Sequence, residues 1–111
     1  MNKIQHEVYL VKVKNSIVYI GSGKRNRHRH CISGVSHVYG LNALHFTSPN
    51  QITVHVIQDS LTQERSLELE LELIKEYRPI YNKRDNEKYN NKYVPIQYID
   101  EVTKKNRNKC Q

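Results

Sequence analysis

Tryptophan is absent from the 111 residues, methionine and phenylalanine occur once each, and there are two cysteines, three prolines and four glycines. Two cysteines, Cys31 and Cys110, cannot by themselves make a disulfide scaffold or a thiolate zinc site. No apolar run approaches the ~18 residues of a membrane helix, and the N-terminus lacks the apolar stretch of a signal peptide. Hydrophobic residues are 37% of the chain and charged residues 26%, which is lean but not the composition of a disordered chain. These absences lead to an expectation of one soluble, cytoplasmic domain with reduced thiols and no membrane partner.

What the chain has in excess is positive charge. Eighteen Lys and Arg against eleven Asp and Glu leave +7, a balance suited to a polyanion such as nucleic acid. Residues 1–60 hold seven basic and two acidic side chains, and residues 79–111 hold eight and four. Between them, residues 61–78 hold five Glu against three basic residues. An acidic insert in a basic protein is what a cation site facing a phosphate backbone requires.

Glu7-Val8-Tyr9-Leu10-Val11-Lys12-Val13 and Ser16-Ile17-Val18-Tyr19-Ile20 are rich in β-branched and aromatic residues, with Lys14 and Asn15 between them, and predict a β-hairpin. A three-residue loop, Val13 to Asn15, would put Tyr9 and Tyr19 on one face of the sheet, whereas a two-residue loop would separate them. Gly21-Ser22-Gly23 is expected to end the second strand, and the basic segment Lys24 to His30 to begin a short helix. A second helix is expected over 36–46 and a third strand over 52–57. Residues 66–74 alternate Leu with Glu at a strand-like period. Helix propensity, a capping box with Ser60 as N-cap and Gln63 at N3, and the stop at Pro79 together predict a helix over 61–77 instead. The apolar patch 93–99 reads as an added strand, and Lys104 to Gln111 as a mobile basic tail.

Wound at ~100° per residue, Glu64, Glu68, Glu72 and Glu76 form one stripe that reads as the solvent face. Glu70 falls about 180° away, among Leu67, Leu71, Leu73, Ile74 and Tyr77. A carboxylate on an apolar face is costly unless it is paired or bound to metal. Two readings follow: a buried ion pair with an Arg, or a ligand for Mg²⁺, which takes one or two carboxylates plus waters and phosphate oxygens.

Tyr9 on one strand, then Tyr19-Ile20-Gly21 on the next, then an Arg/His segment resembles the GIY-YIG nuclease domain family. Glu70 through Asn82 (Glu-Leu-Glu-Leu-Ile-Lys-Glu-Tyr-Arg-Pro-Ile-Tyr-Asn) is similar to that family's metal-binding helix and closing Asn. The match runs over residues 7–82, the expected nuclease domain, and leaves 83–111 as a basic C-terminal extension. The resemblance implies an α/β (α+β) fold with a small three-stranded antiparallel sheet flanked by helices. It implies metal-dependent hydrolysis of a DNA phosphodiester, with one Mg²⁺ or Mn²⁺ held by Glu70. Tyr9 and Tyr19 match the motif tyrosines, Gly21 the glycine packed beside the site, and Asn82 the supporting Asn. The Gly21-Ser22-Gly23-Lys24 opening points to Arg27 as the catalytic Arg, with Arg29 second, and to His30 as a general acid or phosphate contact. The segment 33–36 leading to Leu41-Asn42 resembles small phage-encoded and free-standing homing-type members. At the family's motif glycine this chain has Glu7, a carboxylate that would compete for metal if it faced the site.

Lys24, Arg25, Arg29, Lys83 and Arg84 are expected to contact the DNA backbone. His28, His37, His45 and His55 lack metal-ligand spacing and read as structural or surface residues. The expected partner is double-stranded DNA, with a homodimer or higher homo-oligomer open. A cleavage-dead nucleic-acid-binding module of the same fold, and an RNA-directed nuclease, are the alternatives.

Overall fold

β-Branched and aromatic residues at alternate positions build a hairpin in a computed structural model that describes residues 5–32, 38–82 and 94–108. Strands β1 (His6–Val13) and β2 (Ser16–Lys24) pair antiparallel, and β3 (Ile52–Leu61) pairs antiparallel with the other edge of β1, giving the order β2-β1-β3. Helix α1 (Tyr39–Thr47) precedes β3, helix α2 (Gln63–Tyr77) follows it, and helix α3 (Ile96–Asn108) closes the described chain. One face of the sheet carries a core of Tyr9, Val11, Val13 and Val18 with Leu41 and Leu44 of α1 and Ile99 of α3. The opposite face carries Val8 and Ile20 against Ile74 of α2. This is the expected three-stranded antiparallel sheet flanked by helices.

The hairpin loop has two residues, since Val13 pairs with Ser16 and Lys14 takes the left-handed φ of 56°. Tyr9 and Tyr19 nevertheless share a face. Val11 pairs with Tyr19 but Lys12 with Ile17, so Val18 is an extra residue in β2. At such a bulge two consecutive side chains lie on the same side, and Val18 and Tyr19 both pack on the first core. The bulge restores the parity that a two-residue loop alone would break.

Other expectations are corrected by packing. β2 runs through Gly21-Ser22-Gly23 to Lys24 because that stretch pairs with His6 to Tyr9. The short helix after it is a 3-10 helix over Arg27–Ile32. β3 extends to Leu61, which pairs with His6 and is buried in the second core. Ser60 is therefore in the strand, at φ 56°, and the N-cap of α2 is Thr62, whose hydroxyl accepts from the Arg65 N–H at 3.1 Å. Arg78 closes α2 in the left-handed conformation, its N–H bonded to the Ile74 carbonyl ahead of Pro79. Within the apolar patch expected to be a strand, the described residues from Val94 on form none: α3 begins at Ile96, and Ile96, Ile99 and Val102 recur at helical spacing on the first core, while residue 93 lies outside the described residues. The same helix takes the backbone to Asn108, so Lys104 to Asn108 are helical; residues 109–111 lie outside the described residues.

Candidate active site

Tyr9 on β1 is 1% exposed, and its ring lies over Gly21, its cross-strand partner. A Cβ at position 21 would stand 2.5 Å from the Tyr9 hydroxyl oxygen, so only glycine admits the ring there. The hydroxyl meets His30 Nε2 at 3.0 Å, and the Cys31 thiol lies 3.6 Å from the same nitrogen. Burial pushes the Tyr9 phenol well above its ordinary pKa. Cys31, Tyr19 and Glu70 reinforce that rise, and the Arg27 charge opposes it. Burial likewise pushes Tyr19 up to about 12, with the Cys31 and Glu70 charges adding and Arg27 opposing. Both side chains are neutral phenols at neutral pH.

Arg27 opens the 3-10 helix, and its stem crosses Gly23, where a Cβ would come within 2.7 Å of the Arg27 Cγ. It lines a cavity of about 410 Å³ with His6, Ser22, Lys24, Gln63 and Ser66. Arg25 and Arg29 are exposed, and neither borders that cavity nor acts on the tyrosines. Arg27 is exposed as well, but of the three only Arg27 borders the cavity and packs its stem on Gly23.

Glu70 lies between buried Ser66 and buried Ile74 along one line of α2. Its Oε1 accepts from the Ser22 hydroxyl at 2.8 Å. The solvent stripe is as expected: Glu64, Glu68, Glu72 and Glu76 are exposed, and Arg65 reaches Glu68 at 3.3 Å and Glu72 at 3.8 Å. The buried line is rotated from the expected one, with Leu69 beside Leu73 and Tyr77 on the core and Leu67 turned to the cavity. No group of three His, Cys, Asp or Glu side chains capable of holding a metal occurs among the described residues. A single half-buried carboxylate beside a hydroxyl does fit Mg²⁺, which binds through one or two carboxylates and keeps its waters.

Asn82 is 4% exposed and lies along the outer edge of β2. Its Nδ2 donates to the Ile20 carbonyl at 2.7 Å, and the Ile20 N–H donates to its Oδ1 at 2.8 Å. It holds the Tyr19-Ile20-Gly21 backbone and is a positioning residue.

Glu7 does not face Glu70. One oxygen accepts from the Asn26 N–H at 3.1 Å, and the other from the His28 N–H at 3.0 Å and His28 Nδ1 at 2.7 Å. Ser22 was not among the expected site residues, although its place between two glycines after the motif tyrosine marks it. Lys24 is exposed beside the cavity, whereas Lys83, Arg84 and the segment 33–36 lie outside the described residues.

No protein-family model and no curated protein matches the chain by sequence. Solved structures do match: those of the GIY-YIG N-terminal endonuclease domain of UvrC from Thermotoga maritima. An Asn-to-Ala point mutant of that domain, bound to its catalytic divalent cation, is 27% identical, with 74% of this chain and 87% of that chain covered at a TM-score of 0.50. A Tyr-to-Phe mutant, also bound to the cation, is 28% identical over the same shares, again with a TM-score of 0.50. Fold and site together define a nuclease domain with paired strand tyrosines. The chain has the fold of the GIY-YIG nuclease domain and is similar to that of UvrC over most of its length.

Proposed function

We propose that the chain is a metal-dependent endonuclease that hydrolyses phosphodiester bonds of double-stranded DNA by attack of water. The observation that carries this reading is the Tyr9 hydroxyl, seated on Gly21 and bonded to His30, within the fields of both Arg27 and Glu70. The +7 charge suits a phosphate backbone, and Lys24, Arg25 and Arg29 suit contacts to it. The cation-bound relatives and the half-buried carboxylate on α2 beside Ser22 support Glu70 as the ligand for one Mg²⁺ or Mn²⁺.

A buried phenol is a poor base but a good relay. As water attacks phosphorus, the Tyr9 oxygen takes the water's proton while its own passes to His30 Nε2, so the phenol is neutral before and after. Arg27 binds the non-bridging phosphate oxygens, a task suited to the planar guanidinium. Tyr19, across the bulge from Tyr9, orients the attacking water. Glu70, with the Ser22 hydroxyl beside it, would hold a divalent cation, which would supply charge neutralisation for the developing negative charge. The products are a 5′-phosphate and a 3′-hydroxyl.

Supercoiled plasmid incubated with the protein and Mg²⁺ should be nicked and linearised, and EDTA should stop the reaction. DNA binding with no cutting under either Mg²⁺ or Mn²⁺ would replace this reading with that of a cleavage-dead binding module.

A further inference from the structure

Glu7 occupies the motif position that the family fills with glycine, and the residue is 2% exposed. A buried carboxylate persists only where hydrogen bonds replace its lost hydration. Those bonds come from the main-chain N–H groups of Asn26 and His28 and from the His28 ring. The residue bracketed by the two anchored N–H groups is Arg27. The 3-10 helix that Arg27 opens has no acidic residue in its own first turn, and β1 supplies the acceptor for the His28 N–H within it and for the Asn26 N–H just before it. Asn26 is held at φ 73°, a left-handed conformation that needs external support in a non-glycine residue. Across the hairpin, Glu7 pairs with Gly23, the glycine over which the Arg27 stem lies.

We propose that Glu7 is a positioning residue for Arg27, its carboxylate pinning the main chain on both sides so that the guanidinium is set over the site; this rests on the nuclease reading above. Glu7 and Tyr9 lie two residues apart on one strand and share a face. The phosphate-binding group and the proton relay are thereby referenced to the same rigid element. An Arg on an unanchored loop would lack that precision, and a displacement of ~1 Å at a reacting group can cost ~100-fold in rate.

Glu7→Gln tests this at nearly constant volume. The amide has one acceptor oxygen where the carboxylate uses two. Whichever way it sits, its NH₂ faces the N–H of Asn26 or of His28. At saturating protein and Mg²⁺, the single-turnover nicking rate should fall about 10- to 100-fold, while DNA affinity stays within about 3-fold. In an Arg27→Ala background the same substitution should cost nothing further. Equal fractional losses in both backgrounds, or a loss confined to affinity, would overturn the positioning role. Should Glu7→Gln fail to fold, hydrogen exchange on the wild-type protein decides: the Asn26 and His28 amides should exchange at least ~10-fold slower than in an unstructured chain. Free exchange at both amides overturns the anchor. A wild-type protein that never cuts DNA overturns the nuclease reading, whereas cutting that is indifferent to Glu7→Gln overturns only the positioning role.

Discussion

Asn82 meets the main chain of Ile20 twice, donating to its carbonyl at 2.7 Å and accepting from its N–H at 2.8 Å, as a neighbouring strand would. The bond from the Tyr81 N–H to the Val18 carbonyl at 3.0 Å continues that edge pairing. The turn after α2 therefore acts as a short extra strand segment and holds the bulged, tyrosine-bearing part of β2 in place.

Asn82→Ala should leave two buried main-chain groups unsatisfied. Each costs ~1–3 kcal/mol, so stability should drop by about 2–6 kcal/mol, a fall of about 10 °C or more in Tm. Differential scanning calorimetry reads this directly. A change under ~2 °C would mean that water replaces the side chain without loss.

Glu70→Gln should abolish nicking yet leave DNA affinity equal or tighter, because it removes a negative charge from a basic surface. Gln still accepts from Ser22, so Tm should move by less than ~3 °C. Glu68→Gln and Glu72→Gln serve as controls, since their pairs with Arg65 are exposed and such pairs contribute ~0–1 kcal/mol. Nicking rate, anisotropy and melting on the three variants distinguish a metal ligand from a structural carboxylate. A Glu70→Gln protein that still cuts would exclude Glu70 as ligand.

Among the basic residues, Arg27→Ala should lose ~100-fold or more in single-turnover rate at saturating protein. Arg25→Ala and Arg29→Ala should weaken DNA binding modestly and leave that rate near wild type. Comparable rate losses in all three would return the assignment to an undivided cluster.

The pH dependence should carry no sign of the phenols. With Tyr19 pushed to about 12 and Tyr9 raised as well, no phenol ionisation should appear near pH 10. His30→Ala should lower the single-turnover rate by removing the partner of the Tyr9 hydroxyl. A break near pH 10 that disappears in Tyr9→Phe would instead make Tyr9 a phenolate base.

Glu7 should make stability acid-sensitive. Burial alone would raise its pKa, but the hydrogen bonds from the His28 ring, from the His28 and Asn26 N–H groups, and the His28 charge outweigh it and hold the pKa below its ordinary 4.5. A depressed folded-state pKa contributes stability above the unfolded value, which is lost as pH falls through the folded one. The Tm advantage of wild type over Glu7→Gln should thus be full near neutrality and shrink below about pH 4.5. An advantage unchanged to pH 3 would show that the carboxylate is not bound as described.

The inward turn of Glu70 was legible in the sequence because it depends only on a helical period, a local property that Glu64, Glu68, Glu72 and Glu76 confirm by their exposure. The hairpin, the stop at Pro79 and the marked tyrosines were legible for the same reason: each is set by residues within one turn or one strand of it. The strand-like alternation of residues 66–74 misled nothing, since Leu and Glu favour helix and only one side of the alternation is needed for packing. What only the tertiary structure decided is where distant segments compete. Ser60 has the chemistry of a cap, yet burial of Leu61 beside His6 carries the strand past it and leaves the cap to Thr62. The patch at 93–99 has strand-like composition, yet the first core accepts Ile96, Ile99 and Val102 at helical spacing. The bulge at Val18 that brings Tyr9 and Tyr19 together and the turn of Glu7 toward Asn26 and His28 leave no periodic trace in the chain. Both are settled by cross-strand register and by the hydrogen-bonding needs of a buried charge, which exist only once separate elements have been packed together.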